Sequence, residues 1–187
     1  QNPPLNFAGK CLPEYSLTTP LNDYRLIAKY DLLLARPDGS FVILDWKTNR
    51  KKPARPILEN HIQTRLYRYL LVQAGTQHAP QGQVQPEQVE LVYWVTADPS
   101  QPEVFSYDAA QYHADQQWIR AQVDAVVQMA NSGQPFPLTV DEHPCATCNY
   151  RSLCNRGTVA GVLPDDADME PEDSLTIDID QIAEIAF

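Results

Sequence analysis

The residues best suited to chemistry lie in one stretch, "DLLLARPDGSFVILDWKTNRKK", spanning positions 31 to 52. A turn signal, Arg36-Pro37-Asp38-Gly39-Ser40, divides two apolar runs, which predicts a β-hairpin with arms at about Tyr24–Ala35 and Phe41–Thr48. Asp31 stands among leucines in the first arm, and Asp45 and Lys47 close the second. Side chains alternate faces along a strand, so Phe41, Ile43, Asp45 and Lys47 share one face and Val42, Leu44 and Trp46 the other. With the turn centred on Asp38, paired residue numbers sum to 76 and Asp31 falls opposite Asp45. Directly opposed residues have Cβ atoms about 4.5–5.5 Å apart, and two buried carboxylates that close repel. Three arrangements relieve the repulsion: a protonated carboxyl, a lysine between the two, or a hard divalent cation bound by both. Mg²⁺ commonly takes one or two carboxylates together with substrate phosphate and water. Beside such a metal, Lys47 would hold a water or stabilise charge building on a phosphate. The competing reading is a structural Asp–Lys pair near a sheet edge.

The elements that must position these groups follow from the hydrophobic pattern. A short strand is expected through Glu14-Tyr15-Ser16-Leu17, after a Pro-containing irregular start. Behind the hairpin, Pro56 opens a helix that runs to about Gly75, with Leu58, Ile62, Leu66 and Leu70 as its apolar row. Gln63 and Tyr67, at i and i+4, share one face of that helix, and both can hold a phosphate or order a water. A Gln/Pro/Gly linker covers residues 76–87. "VELVYWVTA" then reads as a central strand, apolar on both faces, followed by a short strand at Glu103–Tyr107 and a long helix over Ala109–Asn131 that ends at Ser132-Gly133. The order predicts a mixed α/β sheet with helices packed against it.

Asp31, then Asp45-Trp46-Lys47 fourteen residues on, then "HIQTRLY" resembles the PD-(D/E)XK nuclease superfamily, most closely its RecB-like branch. The motifs span about residues 24–70, and the order of elements extends the resemblance to about 156. It implies a restriction-endonuclease-like fold: a mixed central sheet flanked by helices, with a C-terminal cysteine-rich metal or cluster loop. It implies a Mg²⁺- or Mn²⁺-dependent deoxyribonuclease, an exonuclease on single-stranded or end-bearing DNA in repair, recombination or defence, with a helicase or other repair or defence protein as partner. By position, Asp31 and Asp45 would be metal ligands with the Trp46 carbonyl as a third, Lys47 the catalytic lysine, and Gln63 and Tyr67 organisers of the site. Two departures stand out. Ala28 occupies a position that is usually Gly, and no His-bearing helix precedes Asp31. The latter implies that a catalytic N-terminal helix lies before Gln1, in keeping with the lack of an initiator Met. Glu14 is a further candidate ligand from the preceding strand. The alternatives are a non-catalytic nucleic-acid-binding or assembly module of the same fold, and a zinc-stabilised interaction domain.

Three of the four cysteines fall in "HPCATCNYRSLCNRG", as Cys145-x2-Cys148-x5-Cys154. That spacing suggests a metal site in a reducing compartment rather than a secreted disulfide framework, so a cytoplasmic setting is expected. Thiolates bind zinc or iron–sulfur clusters. Zinc could use His143 as a fourth ligand; the resemblance favours a structural [4Fe–4S] cluster, with Cys11 as the only other cysteine to complete it. The loop, residues 143–156, is grouped with a nuclease domain over 1–157, and 158–187 with an acidic tail.

The formal net charge of −10 comes from that tail: nine acids and no Lys or Arg lie between Asp165 and Phe187, and the remaining 164 residues carry 15 acids and 14 bases. Within the near-neutral body, Lys47, Arg50, Lys51, Lys52 and Arg55 form a basic run. Such a run is either a solvated loop or, next to the hairpin, a surface for an anionic polymer, with Arg50, Lys51, Lys52 and Arg55 as the DNA contacts. In the tail, "SLTIDIDQIAEIAF" alternates Leu175, Ile177 and Ile179 with polar residues, a pattern fit for a strand added to a sheet edge. No run of 18 apolar residues is present, so no membrane span is expected.

Overall fold

The computed structural model describes residues 8–48, 52–146 and 148–157. By contacts the chain divides into two compact units, residues 1–140 and 141–187, and the sheet lies in the first. Its strands are β1 (Lys10–Leu21), β2 (Tyr24–Ala35), β3 (Phe41–Lys47), β4 (Val89–Val95) and β5 (Glu103–Ser106), side by side in chain order. All neighbours are antiparallel except β3 and β4, which are parallel. A parallel pair needs a crossover, and here it runs through α1 (Arg55–Asn60) and α2 (Ile62–Ala74); α3 (Ala109–Asn131) follows β5. This is the restriction-endonuclease-like mixed sheet flanked by helices expected from the sequence.

Alternation along β3 divides the core in two. Phe41 and Ile43 join Leu33, Leu91, Tyr93 and Phe105 in the cluster that holds Leu58, Leu70 and Leu71 of the helices. Val42 packs on the other face with Leu34 and Val92. The hairpin register is the one read from the turn, with Leu32 opposite Leu44 and Leu33 opposite Ile43. The turn is held by Asp38, whose Oδ1 accepts both the Ser40 N–H (2.9 Å) and the Ser40 hydroxyl (2.7 Å). Gly39 follows at φ +84°, a conformation that costs glycine little.

β1 is much longer than the four residues expected, and it pairs with β2 along nearly its whole length. The two strands share a distortion. In β1 the residues packed on the main core are Leu12, then Tyr15 and Leu17; in β2 they are Leu26, Ala28 and Tyr30, then Leu33 and Ala35. The inward positions shift by one step at Glu14 and at Asp31, the one pair missing from the middle of the ladder, and Glu14 sits at φ +50°. Bulge-like irregularities of this kind bend a ribbon and re-aim side chains. β2 also stops pairing with β3 at Leu32. Asp31 therefore stands where the two strands part.

The single helix expected from Pro56 to Gly75 is broken at His61, which has extended backbone (φ −63°, ψ 140°). Its Nδ1 accepts the Gln63 N–H at 3.4 Å and caps α2. The break re-aims the apolar row: Leu58 and Leu70 are fully buried, Leu66 is partly buried, and Ile62 is exposed. α3 has the expected bounds, with Asp108 capping it through the Gln111 N–H at 2.7 Å. Among the described residues no helix is long and apolar enough to cross a membrane. The tail from 158 on, with its strand expected from Leu175, lies outside the described residues, as do Arg50 and Lys51.

Candidate active site

Asp45 and Lys47 lie two residues apart on β3 and face α2, with 1% and 4% of their surfaces exposed. Their charged ends meet, Lys47 Nζ to Asp45 Oδ2 at 3.1 Å. Gln63, in the first turn of α2, completes a ring: its Oε1 accepts from Lys47 Nζ at 2.7 Å, and its Nε2 donates to Asp45 Oδ1 at 2.7 Å. One amide thus fixes the orientation of both charged groups. Its own position follows from the His61 cap, because the helix break sets where the first turn begins.

Asp31 joins from β2. Where the β2–β3 ladder stops, its Oδ2 takes the place of a backbone partner and accepts the Trp46 N–H at 2.8 Å. A carboxylate from each of two neighbouring strands therefore flanks the start of the fork. Tyr67 stands one turn beyond Gln63. Its hydroxyl donates to the Lys29 carbonyl at 2.6 Å and its own carbonyl accepts from the Tyr30 hydroxyl at 3.1 Å, with the two rings edge-on at 5.0 Å. Tyr67 straps β2 two residues before Asp31. Burial pushes the Tyr30 hydroxyl well above its ordinary pKa, so it remains a neutral donor.

The other expected residues are placed less centrally. Glu14 is level with Asp31 across β1 and β2, but its carboxylate pairs with Lys29 Nζ at 2.6 Å on the exposed side. Lys52 and Arg55 converge on Glu103 of β5, at 2.7 and 2.8 Å. Lys52 also donates to the Gln101 carbonyl (2.7 Å) and Arg55 to that of Val104 (2.9 Å), with the guanidinium 4.3 Å over the Phe105 ring. These contacts anchor Lys52 and the start of α1 to β5 and the residues before it. The Lys52 hydrogen bond, with that of Arg55, holds the Glu103 carboxyl below the usual range against the opposing effect of burial.

The structure adds two residues that the sequence did not single out. Tyr93 is the β4 partner of Asp45, and its ring lies 5.2 Å from Lys47 Nζ. Thr64, next to Gln63, meets the Tyr93 hydroxyl at 2.7 Å. Only the β3–β4 register could have pointed to Tyr93, and parallel register has no turn from which to count.

Among the described residues no three His, Cys, Asp or Glu side chains gather to hold a metal ion. For the hairpin this is compatible with a hard cation, since two carboxylate oxygen donors with phosphate and water suffice for Mg²⁺. For the cysteines it is a departure from the expected cluster. Cys145, Cys148 and Cys154 are unbridged and partly buried, and they do not form a ligand set as placed. Cys145 Sγ accepts from Arg156 Nη1 at 3.3 Å and Cys148 Sγ from the Tyr150 N–H at 3.4 Å. Cys11 is exposed on β1, opposite Leu34.

A mixed sheet with two carboxylates and a lysine at a strand fork, under a helix, defines the restriction-endonuclease-like class. The model of the PD-(D/E)XK nuclease superfamily matches residues 5–155, and the chain belongs to that superfamily. Among solved structures, SSO0001 aligns at a TM-score of 0.48 and 16% identity, covering 79% of this chain and 62% of that one. A candidate exonuclease from Eubacterium rectale aligns at 0.46 and 13%, covering 84% of this chain and 55% of its own length. The chain thus spans less than two thirds of each of these structures. No curated protein matches it.

Proposed function

We propose that the chain is the nuclease domain of a RecB-like, Mg²⁺- or Mn²⁺-dependent deoxyribonuclease that hydrolyses phosphodiester bonds, acting as an exonuclease on single-stranded or end-bearing DNA. The observation that carries the reading is the closed ring of Asp45, Lys47 and Gln63 with the Asp31 carboxylate beside it. Asp31 and Asp45 would hold the cation, with the Trp46 carbonyl as a further ligand. When bound, such a cation polarises the phosphate and lowers the pKa of a water. Gln63 keeps the Lys47 ammonium fixed, and Lys47 stabilises charge on the reacting phosphate without reorganising at that moment. Tyr67 holds β2, and so Asp31, against α2. The test is DNA cleavage by the full-length parent chain with added Mg²⁺ or Mn²⁺, with Lys47→Ala as control. Metal-dependent cleavage that persists in that variant would sink the mechanism; binding without cleavage by the unaltered protein would favour the assembly-module reading.

The cysteine loop stands outside this chemistry. Its spacing supports a structural centre, either [4Fe–4S] or zinc with His143, and no step of the reaction passes through it. An anaerobic preparation that absorbs near ~400 nm supports the cluster; a colourless one containing zinc overturns it.

A further inference from the structure

We infer that Tyr93 is a positioning residue for Lys47, its ring serving as the wall that keeps the ammonium between Asp45 and Gln63. The inference rests on the proposed nuclease reading and adds a residue to it. Tyr93 and Asp45 are Cα partners in the parallel register, so their side chains leave the sheet together on the α2 side. Lys47 is one pleat along, and its Nζ lies 5.2 Å from the centre of the Tyr93 ring. That is within the ~6 Å range over which a ring face attracts a cation, and the attraction is larger where water is excluded. Here it is excluded: Tyr93 is fully buried, and Lys47 and Asp45 nearly so.

The ring is fixed at both ends. Its backbone is held in an interior strand, and its hydroxyl meets Thr64 Oγ1 at 2.7 Å. Thr64, itself fully buried, bonds to the Leu58 carbonyl at 2.5 Å. The Phe105 ring stands edge-on to Tyr93 at 5.9 Å. Gln63 and Thr64 are consecutive in α2, so one turn of helix sets both the amide that bonds the ammonium and the ring that faces it. An ammonium has three N–H donors on a flexible stem. Gln63 Oε1 accepts from one, and the Asp45 carboxylate holds the ammonium as an ion pair at 3.1 Å. A cation-attracting wall limits the rotations that would carry the ammonium away from substrate. Leucine or methionine at position 93 would keep the site apolar and occupied but would not attract the cation.

The experiment compares Tyr93→Phe, which keeps the ring, with Tyr93→Leu, which removes it, in single-turnover DNA cleavage by the full chain with Mg²⁺. Tyr93→Phe should stay within about threefold of the unaltered protein, and Tyr93→Leu should lose about tenfold or more in rate with DNA affinity within about twofold. A second readout uses metal-free protein: the unfolding cost of Tyr93→Leu should be smaller in a Lys47→Met background than in the original, because the cation it serves is gone. Tyr93→Met replaces Tyr93→Leu if the latter does not fold. Wild-type cleavage by folded Tyr93→Leu, or an equal unfolding cost in both backgrounds, overturns the inference and leaves a plain core tyrosine. Cleavage that survives Lys47→Ala overturns the nuclease mechanism instead. If no variant or parent cleaves, the unfolding cycle still decides the Tyr93–Lys47 coupling.

Discussion

Two buried ionic clusters hang from the same helix, and they are built in opposite ways. In the site, Asp45 and Lys47 come from one strand, which brings them together without help from the rest of the fold; α2 contributes Gln63 to their ring. Further along α2, Arg65 and Arg68 reach Asp115 of α3. Asp115 Oδ1 accepts from Arg65 Nε at 2.6 Å, and Oδ2 lies 3.0 Å from the Tyr107 hydroxyl and 3.9 Å from Arg68 Nη2. Arg68 also donates to the carbonyls of Ser106 (2.8 Å) and Thr64 (2.9 Å), and both guanidinium groups lie over rings, of Trp118 and Tyr107. Burial and the Asp115 charge drive the Tyr107 hydroxyl far above its ordinary pKa, so it stays a donor. The second cluster exists only when α2, α3 and the end of β5 have packed. Every charge in it faces an opposite one. The first sets Asp31 at a fork beside the strand that carries Asp45, an arrangement that, in the proposed reading, would suit a bound cation rather than stability.

The sharpest way to break this comparison is to make the same change at a carboxylate in each cluster. Asp31→Asn keeps an acceptor for the Trp46 N–H and removes a charge that repels Asp45. Cleavage should fall at least about 10²-fold, since metal ligation is worth several kcal/mol in the transition state, while the thermal midpoint stays level or rises. Asp115→Asn leaves two buried arginines without a counter-charge and should cost near the low end of ~3–5 kcal/mol in urea unfolding. Folded Asp115→Asn should cleave at close to the original rate. If the two variants instead lost stability equally, the site cluster would be structural.

Gln63→Ala tests the side chain by which α2 closes the ring. It removes hydrogen bonds to two charged groups, each worth about 1.5–3 kcal/mol when buried. Both readouts should move: a slower single-turnover rate by roughly 10-fold or more, and a lower urea midpoint. A change in stability alone would make Gln63 a mere helix anchor.

The two clusters also differ in how far the sequence reveals them. The turn Arg36-Pro37-Asp38-Gly39-Ser40 fixes the hairpin register, and the counting holds as far as Leu32–Leu44; the ladder stops there, and Asp31 meets the Trp46 N–H where the count set it opposite Asp45. Gln63 follows from helical spacing once the helix is placed, although the break at His61 does not, because it depends on a ring capping a neighbouring N–H. Helical spacing also places Tyr67, but not the Lys29 carbonyl that its hydroxyl meets, because that contact depends on the path of β2, which bends at Asp31. The bend is not legible because Glu14 carries no sign of its positive φ. Arg68 and Asp115 are 47 residues apart and meet only through packing. Lys52 and Arg55 read as an open basic run because Glu103, which engages both, lies beyond a helix pair and a strand.

That last contact gives the smallest effect and a finer test. Glu103 holds Lys52 and Arg55 at 2.7 and 2.8 Å, but these groups are partly exposed, and such pairs are worth at most about 1 kcal/mol. Glu103→Gln should therefore barely change the unfolding midpoint at neutral pH. The pH dependence is more telling. The Glu103 carboxyl titrates lower folded than unfolded, so its contribution is complete above the ordinary glutamate value and fades as pH falls through the folded one. The difference between the unaltered protein and Glu103→Gln should shrink across that acid window and vanish below it. Released from Glu103, Lys52 and Arg55 would be available to phosphate, so DNA affinity at low salt should stay level or rise in the variant. A fall in affinity would mean that Glu103 holds the two cations in the geometry that DNA requires, which would move this surface pair from the fold's side of the comparison to the site's.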